Sequence, residues 1–256
     1  MFPLRDHNPS QTTPVVTVAL IVTNVLVFFL SLPYLDDPRF LSDWALIPAL
    51  SVPYTFLTSQ FLHGGPMHLG GNMLFLWIFG DNLEDRMGRL PFLGFYLVSG
   101  VVAALAQSLP DPGSPVPMVG ASGAIAGVMG GYLLLFPRAR VDILLIFIVI
   151  FKVVPVRAWL VLALWFGLQV LSGITRQSEI GGVAYWAHAG GFAAGLAMTV
   201  PLWLRLGGTR FWARADGRPP QPPATARRGT PGPWGRSAPA RQTLRRSPIP
   251  KAGHRR

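Results

Sequence analysis

Long runs of apolar residues, separated by short polar segments, fill the first 206 positions of the chain. A helix needs about 20 mainly apolar residues to cross the hydrocarbon layer of a bilayer. The pattern predicts six membrane-crossing helices, at residues 14–32, 67–80, 90–109, 122–136, 157–174 and 182–204. The expected fold class is therefore an all-α integral membrane protein built as a bundle of six transmembrane helices.

Three stretches need a separate interpretation. Residues 34–61 form a connection long enough to be a structured first external loop, with apolar side chains that suit the membrane interface. Residues 141–151 are apolar apart from Asp142 but half as long as a span, and cations flank both ends, so we expect an interfacial or re-entrant piece. The run at 14–32 has an alternative as a cleaved signal peptide, although no small-residue cleavage site follows it.

Composition and charge agree with a membrane protein. Half of the 256 residues are hydrophobic and 13% are charged, which excludes a soluble domain of this length. The net charge of +11 is concentrated from Arg205 onward, where thirteen Lys or Arg accompany one acidic residue. A basic tail on a nearly neutral body argues against nucleic acid as a partner. Because cysteine is absent, disulfides and thiolate chemistry are excluded.

The chain divides into three predicted regions: an N-terminal segment at 1–13, a membrane domain at 14–206 and a tail at 207–256. The tail is rich in Pro and Arg and has few large apolar residues, so we expect it to be disordered. Two interpretations of its basic side chains remain open: they contact anionic lipid headgroups, or the tail is solvated and makes no such contact.

Loop charges predict the orientation of the helices. Cations are concentrated after the second and fourth spans and in the tail. The loops on the opposite side carry five acidic residues and two cations, Arg39 and Arg176. Under the positive-inside rule, the N- and C-termini are cytoplasmic, and we expect a multi-pass protein of the plasma (inner) membrane. The start of the fourth span then faces outward.

Four polar residues within the predicted spans are candidates for chemistry: His68, Asn72, Ser122 and His188. Counting along each helix places all four in one layer of the outer half of the membrane. Small residues repeat every four positions on both the fourth and the sixth span, including Gly123, Gly127, Gly191 and Gly195. Such faces allow close helix contact, which can bring a serine hydroxyl within reach of an imidazole.

This arrangement favours nucleophilic catalysis by a Ser122–His188 dyad, because the second, fourth and sixth spans contain no acidic residue for a triad. Neutral imidazole is the usual base for a serine near pH 7. The expected contributors to oxyanion or substrate binding are His68, Asn72 and Gly120, together with the Ser122 N–H. No cofactor is expected. No metal is expected either, since His63 and His68 lack a further ligand at zinc-binding spacing.

The chain resembles the rhomboid intramembrane serine proteases, of the bacterial six-span type. The matching motifs are FLHGGPMHLGGN at 61–72, the segment 80–88 with Glu84 and Arg86, GASG at 120–123, and AHAGG at 187–191 followed by Gly195. The resemblance implies Ser122 as nucleophile, His188 as base, an oxyanion hole from His68 and Asn72, and structural roles for Glu84 and Arg86. The implied partners are membrane lipids and substrates with one or more transmembrane helices.

One departure from the family pattern concerns the base. Many rhomboid proteases carry a tyrosine one turn after the serine, stacked on the catalytic ring, whereas this chain has Ala126. His188 must therefore be oriented by another group. Gln169 and Trp165 in the fifth span are expected to serve in packing, on a helix that could act as a gate for the substrate.

Two functions other than proteolysis remain as alternatives. A non-proteolytic rhomboid-like protein would bind transmembrane clients without cleaving them, but it would be expected to lack the serine or the histidine. A small-solute transporter would be expected to show duplicated halves or paired interrupted helices, which the sequence does not have.

Overall fold

Helices make up most of the computed structural model, which describes residues 2–7, 10–147, 150–175 and 183–219. In chain order, the strands and helices are β1 (Phe2–Asp6), α1 (Val15–Ser31), α2 (Pro38–Trp44), α3 (Thr55–Thr58), α4 (Pro66–Met87), α5 (Arg89–Ser108), α6 (Ser122–Leu135), β2 (Arg140–Phe147), β3 (Ile150–Arg157), α7 (Ala158–Thr175), α8 (Tyr185–Arg205) and α9 (Thr209–Ala215). Single 3-10 turns follow α1 and α3. The connection between α1 and α4 is thus structured.

Helices occur at all six predicted positions, but the described residues contain four that are long and apolar enough to cross a membrane: α1 with its 3-10 turn, α5, α7 and α8. Helix α6 has 14 residues. Helix α4 has 22 residues but carries charged side chains in its last two turns. The chain is a multi-pass membrane protein, and the count of six spans stays a prediction.

The predicted end of the second span at residue 80 is wrong, because α4 continues to Met87. The start of the predicted sixth span is outside the described residues, and its helix is described from Tyr185.

The prediction of an all-α chain is wrong, because the described residues include a three-stranded antiparallel sheet in the order β1-β2-β3. The described residues of the stretch 141–151, predicted to be interfacial or re-entrant, lie in β2 and β3, which form an antiparallel pair with Arg140 opposite Arg157. These residues form strands because Val, Ile, Leu and Phe suit a sheet once a pairing partner is present. Strand β2 is central: it pairs with β3 on one side and with β1, from the N-terminal segment, on the other.

A buried carboxylate fastens β1 to the hairpin. Asp142 is 4% exposed, and its oxygens lie 3.0 Å from Arg5 Nε and 2.6 Å from His7 Nε2. Burial raises the pKa of the Asp142 carboxyl, but the hydrogen bonds and charges of His7 and Arg5 outweigh it and hold the pKa below its usual value. The carboxylate is therefore ionised at neutral pH and links the two strands.

Glycines bring α6 and α8 into backbone contact. A Cβ atom added to Gly191 would lie 2.1 Å from the carbonyl oxygen of Gly123, and one added to Gly195 would lie 2.0 Å from that of Gly127. Neither position can hold a larger side chain without separating the helices. The two helices run in the same direction, so residues near their N-terminal ends meet.

The predicted disorder of 207–256 is wrong at its start, because residues 209–215 form α9. Phe211 is 6% exposed and lies beneath the Arg86 guanidinium, 5.8 Å from its ring centroid. The Trp212 indole donates to the Leu134 carbonyl at 2.9 Å. An ion pair between Arg138 and Asp216, at 2.8 Å, also attaches this segment. The rest of the predicted tail, residues 220–256, lies outside the described residues.

Glu84 caps α1 from another helix. Its carboxylate, 3% exposed, accepts from the backbone N–H groups of Val16 and Thr17 at 2.9 and 2.8 Å and from the Thr17 hydroxyl at 2.9 Å. Pro14, at the N-cap position, offers no side-chain hydrogen bond. A carboxylate at a helix N-terminus satisfies otherwise unpaired donors and interacts favourably with the helix dipole.

Replacing Glu84 by Gln should lower the free energy of unfolding in mixed micelles by about 1.5 to 3 kcal/mol, since a buried, charge-assisted hydrogen-bond set is weakened. The matched control is Asp85→Asn on the same helix turn, where the hydrogen bonds to Gln11 and Thr12 are exposed. That change should cost less than about 1 kcal/mol. Equal losses from the two variants would contradict the capping role of Glu84.

Candidate active site

Ser122 is the first residue of α6. The chain reaches it through Gly120, whose φ of +127° is a conformation that side chains other than glycine rarely adopt. The Gly120 N–H donates to the Ser59 carbonyl at 2.9 Å, which anchors the turn. The Ser122 side chain is half-buried, and a cavity lined by small residues such as Ala103, Gly123 and Ala187 adjoins it. Ser122 thus lies at the edge of a small cavity.

His188 lies beside this serine. Its Nε2 is 2.8 Å from Ser122 Oγ, which is hydrogen-bond distance. The ring belongs to the first turns of α8, close to the point where Gly191 meets the Gly123 carbonyl. The contact between the helix backbones thus sets the distance between hydroxyl and imidazole.

His68 and Asn72 come from α4 and converge on Gly120. A Cβ atom at Gly120 would lie 2.8 Å from His68 Nε2 and 3.8 Å from Asn72 Nδ2. Asn72 is 8% exposed, and its Nδ2 has no hydrogen-bond partner among the described residues. A buried donor without a partner is costly, and its position near the serine is typical of a group that binds a reacting oxygen.

The N–H of Gly120 is not available for such a role, because Ser59 already accepts from it. What Gly120 contributes is the absence of a side chain, which leaves room for the His68 ring.

His63, in the loop before α4, is completely buried and its ring lies edge-on to that of His68, with 5.2 Å between centroids. Burial, and next the proximity of His68, lower the pKa of His63 to about 4, with the Phe61 carbonyl acting more weakly in the opposite direction. His63 is therefore neutral at physiological pH and packs behind His68.

The structure reveals two residues at the site that sequence reasoning assigned to packing. Gln169 Oε1 lies 2.8 Å from His188 Nδ1, and the Trp165 ring is tilted 35° to the His188 ring at a centroid distance of 5.5 Å. The available signal was their spacing, because positions four apart share a face of α7. This pair supplies the ring contacts that Ala126, itself fully buried, does not make.

The remaining predicted residues have distinct places. Gly123, Gly127, Gly191 and Gly195 form the contact between α6 and α8. Glu84 and Arg86 lie at the other end of α4 from His68 and contact α1 and α9. The arrangement near Ser122 combines a hydroxyl, an imidazole, an amide donor without a partner among the described residues, and a cavity. Acyl transfer by a serine uses groups of these types.

Comparison with known proteins identifies relatives in several kinds of organism. The chain is 32% identical over 185 residues to Rhomboid protein 1, mitochondrial, of Saccharomyces cerevisiae, covering 70% of this chain and 50% of that protein. It is 34% identical over 155 residues to Rhomboid protease GluP of Bacillus subtilis, covering 58% and 26%. It is 41% identical over 75 residues to Rhomboid-like protein 11, chloroplastic, of Arabidopsis thaliana, covering 29% and 26%. The matched region therefore spans half or less of the length of these relatives.

A family model described as the Rhomboid domain matches residues 51–205, which include α4 through α8 and every residue of the site described above. The match covers more than half of the chain. This protein belongs to the rhomboid family.

Proposed function

We propose that this chain is an intramembrane serine endopeptidase, with Ser122 as nucleophile and His188 as general base. The observation that carries the proposal is the 2.8 Å separation of Ser122 Oγ and His188 Nε2 beside a cavity. Membership of a family that includes a relative named as a rhomboid protease supports it.

In the first step, His188 Nε2 takes the proton of the Ser122 hydroxyl while Oγ attacks the carbonyl carbon of a substrate peptide bond. A serine alcohol is a weak nucleophile until a base within hydrogen-bond distance accepts its proton. The product is a tetrahedral intermediate with a negatively charged oxygen and an imidazolium at His188.

The oxyanion is stabilised by donors that are already in place. Asn72 Nδ2 lacks a partner within the described residues and can donate without first breaking a bond. His68 lies beside the same turn, and the Ser122 N–H belongs to the first turn of α6, where helix N–H groups have no partner inside the helix. Donors fixed before the reaction stabilise the transition state without reorganisation.

Collapse of the intermediate breaks the peptide bond. The leaving nitrogen takes the proton from the His188 imidazolium, and an ester remains on Ser122. Water then attacks this ester with His188 again as base, which releases the carboxylate product and restores the serine.

The proposed substrates are other membrane proteins, cleaved in or next to their transmembrane helices. The site lies on helices of a multi-pass membrane protein, so a substrate segment would reach it from the bilayer. A carbonyl that is hydrogen-bonded within a helix is shielded, so the substrate helix must unwind near a small or helix-breaking residue before it can react.

The proposed arrangement is of the bacterial six-span type, with α4 and α6 crossing the membrane together with the four longer apolar helices. The loop charges support cytoplasmic termini in a plasma membrane and an active site facing outward. The basic tail is proposed to contact anionic lipid headgroups.

Replacing Ser122 by Ala, or His188 by Ala, should abolish cleavage of a single-span reporter protein in proteoliposomes, because one removes the nucleophile and the other the base. Ser99→Ala is the matched control, since Ser99 is a fully buried serine of the same bundle whose hydroxyl has no partner in the described part of the chain. It should retain cleavage. Equal product from wild type and Ser122→Ala would eliminate proteolysis by this site and favour a protein that only binds transmembrane clients.

Replacing Asn72 by Ala should raise the barrier by about 2 to 4 kcal/mol, a loss of about 30- to 900-fold in kcat. The change removes a donor that acts mainly on the transition state, so KM should move little. Asn24→Ala is the control, because Asn24 is a buried asparagine of α1 that donates to the Leu20 carbonyl. An Asn72→Ala enzyme with wild-type kcat would refute the oxyanion role.

A further inference from the structure

Both ring nitrogens of His188 have a partner, and the two partners come from different helices. Ser122 Oγ on α6 lies 2.8 Å from Nε2, and Gln169 Oε1 on α7 lies 2.8 Å from Nδ1. Within the residues that the structure describes, these are the hydrogen-bond partners of the ring. The orientation of the imidazole therefore depends on α7 as well as on the contact between α6 and α8.

The identity of the atom beside Nδ1 decides which tautomer is stable. A neutral imidazole carries one proton, and only the tautomer with that proton on Nδ1 leaves a lone pair on Nε2 to accept the Ser122 proton. The amide oxygen of Gln169 accepts a hydrogen bond from Nδ1–H and so stabilises this tautomer. The opposite amide orientation would donate to Nδ1 and favour the proton on Nε2, where it would block the reaction.

A neutral acceptor suits this location. In serine proteases of the trypsin type a buried aspartate holds the corresponding nitrogen. An ionised carboxylate in an apolar layer is expensive unless it is paired, whereas an amide oxygen accepts a hydrogen bond without bringing a charge. Gln169 is half-buried on a helix whose large apolar side chains face mostly outward, such as Leu164, Leu168 and Leu171. The Gln169 side chain, in contrast to these leucines, points inward and contacts the His188 ring.

We propose that Gln169 is the positioning residue of the dyad: its side-chain oxygen accepts the Nδ1 proton of His188 and holds the imidazole in the tautomer that activates Ser122. Trp165, one turn earlier on the same face of α7, limits the tilt of the ring. The proposal rests on the proposed serine-protease function and assigns to the fifth predicted span a role in the chemistry of the site.

The test compares Gln169→Leu, Gln169→Met and Gln169→Glu in proteoliposomes. Leu and Met fill a similar volume without an acceptor, whereas Glu keeps one. The rate at which a fluorophosphonate probe labels Ser122 reports the reactivity of the serine without any transmembrane substrate, and cleavage of a single-span reporter gives kcat and KM.

The Leu and Met variants should lower the labelling rate and kcat by about 10- to 100-fold, with KM nearly unchanged. This loss is part of the acceleration of about 10²- to 10⁴-fold that a general base contributes. Glu should stay within about 3-fold of wild type, because it retains the acceptor.

The matched control is Gln107→Leu. Gln107 Oε1 accepts from the Ala187 N–H at 3.1 Å, so this variant also removes a glutamine contact to the start of α8, but to the backbone and not to the base. It should label at the wild-type rate. Thermal unfolding of each variant identifies any that fails to fold. If Gln169→Leu fails to fold, the comparison of Gln169→Met with Gln169→Glu still tests the proposal.

The outcomes separate the two proposals. If Ser122→Ala still cleaves the reporter, the proposed protease function fails. If Ser122→Ala is inactive while Gln169→Leu and Gln169→Met label as fast as wild type, only the positioning role fails. A Gln169→Glu variant as impaired as Gln169→Met would also overturn the proposal, because the acceptor would then not be what matters.

Discussion

The structure of this rhomboid depends on the direct contact between the backbones of α6 and α8. Glycine at positions 123, 127, 191 and 195 removes the side chains that would hold the two helices apart. In a bilayer, helix association is driven largely by close packing and not by exclusion of water, so such faces are effective. The contact brings a residue at the start of one helix within hydrogen-bond distance of a residue in the first turns of the other. The remaining site groups are arranged around this pair.

Several polar groups within the bundle have hydrogen-bond partners that explain their burial. Glu84 is buried but receives three hydrogen bonds from the first turn of α1. Gln169 meets the second nitrogen of His188. Asn72 Nδ2, by contrast, has no partner among the described residues. Other buried groups, such as the Ser99 hydroxyl, also lack a partner among the described residues. What distinguishes Asn72 is its place beside Gly120, two residues before the serine.

Helix α4 joins the two ends of the bundle. Its first turns carry His68 and Asn72 next to Gly120, and its last turns carry Glu84 and Arg86 next to α1 and α9. A single rigid element thus ties the position of the candidate oxyanion donors to the packing at the opposite end. The sequence showed both groups of residues, but only the structure shows that Glu84 works as a helix cap.

The length of the apolar runs predicted the long helices well, because a helix that crosses a bilayer needs a continuous apolar stretch of its own. The apolar runs could not predict the sheet, since a mainly apolar stretch such as 141–151 suits a membrane segment and a strand equally well. In addition, β1, which pairs with β2, is more than a hundred residues away in the chain. They also missed α9, where Phe211 and Trp212 are attached within a basic segment. The proximity of Ser122 and His188 was accessible from spacing and small-residue faces. Spacing placed Gln169 and Trp165 on one face of α7. It could not show that this face meets His188, because the rotation of α7 about its own axis depends on packing with other helices.

The most direct test of the helix contact is the labelling rate of Ser122 by a fluorophosphonate in Gly191→Ala, measured beside Gly94→Ala. An added Cβ at Gly191 meets the Gly123 carbonyl at 2.1 Å, whereas one at Gly94 meets nothing within 4 Å. Because a displacement of about 1 Å costs about 100-fold in rate, Gly191→Ala should lose most of its labelling and Gly94→Ala should keep the wild-type rate. Equal and undiminished labelling of the two variants would contradict the dependence of the dyad on the contact between α6 and α8.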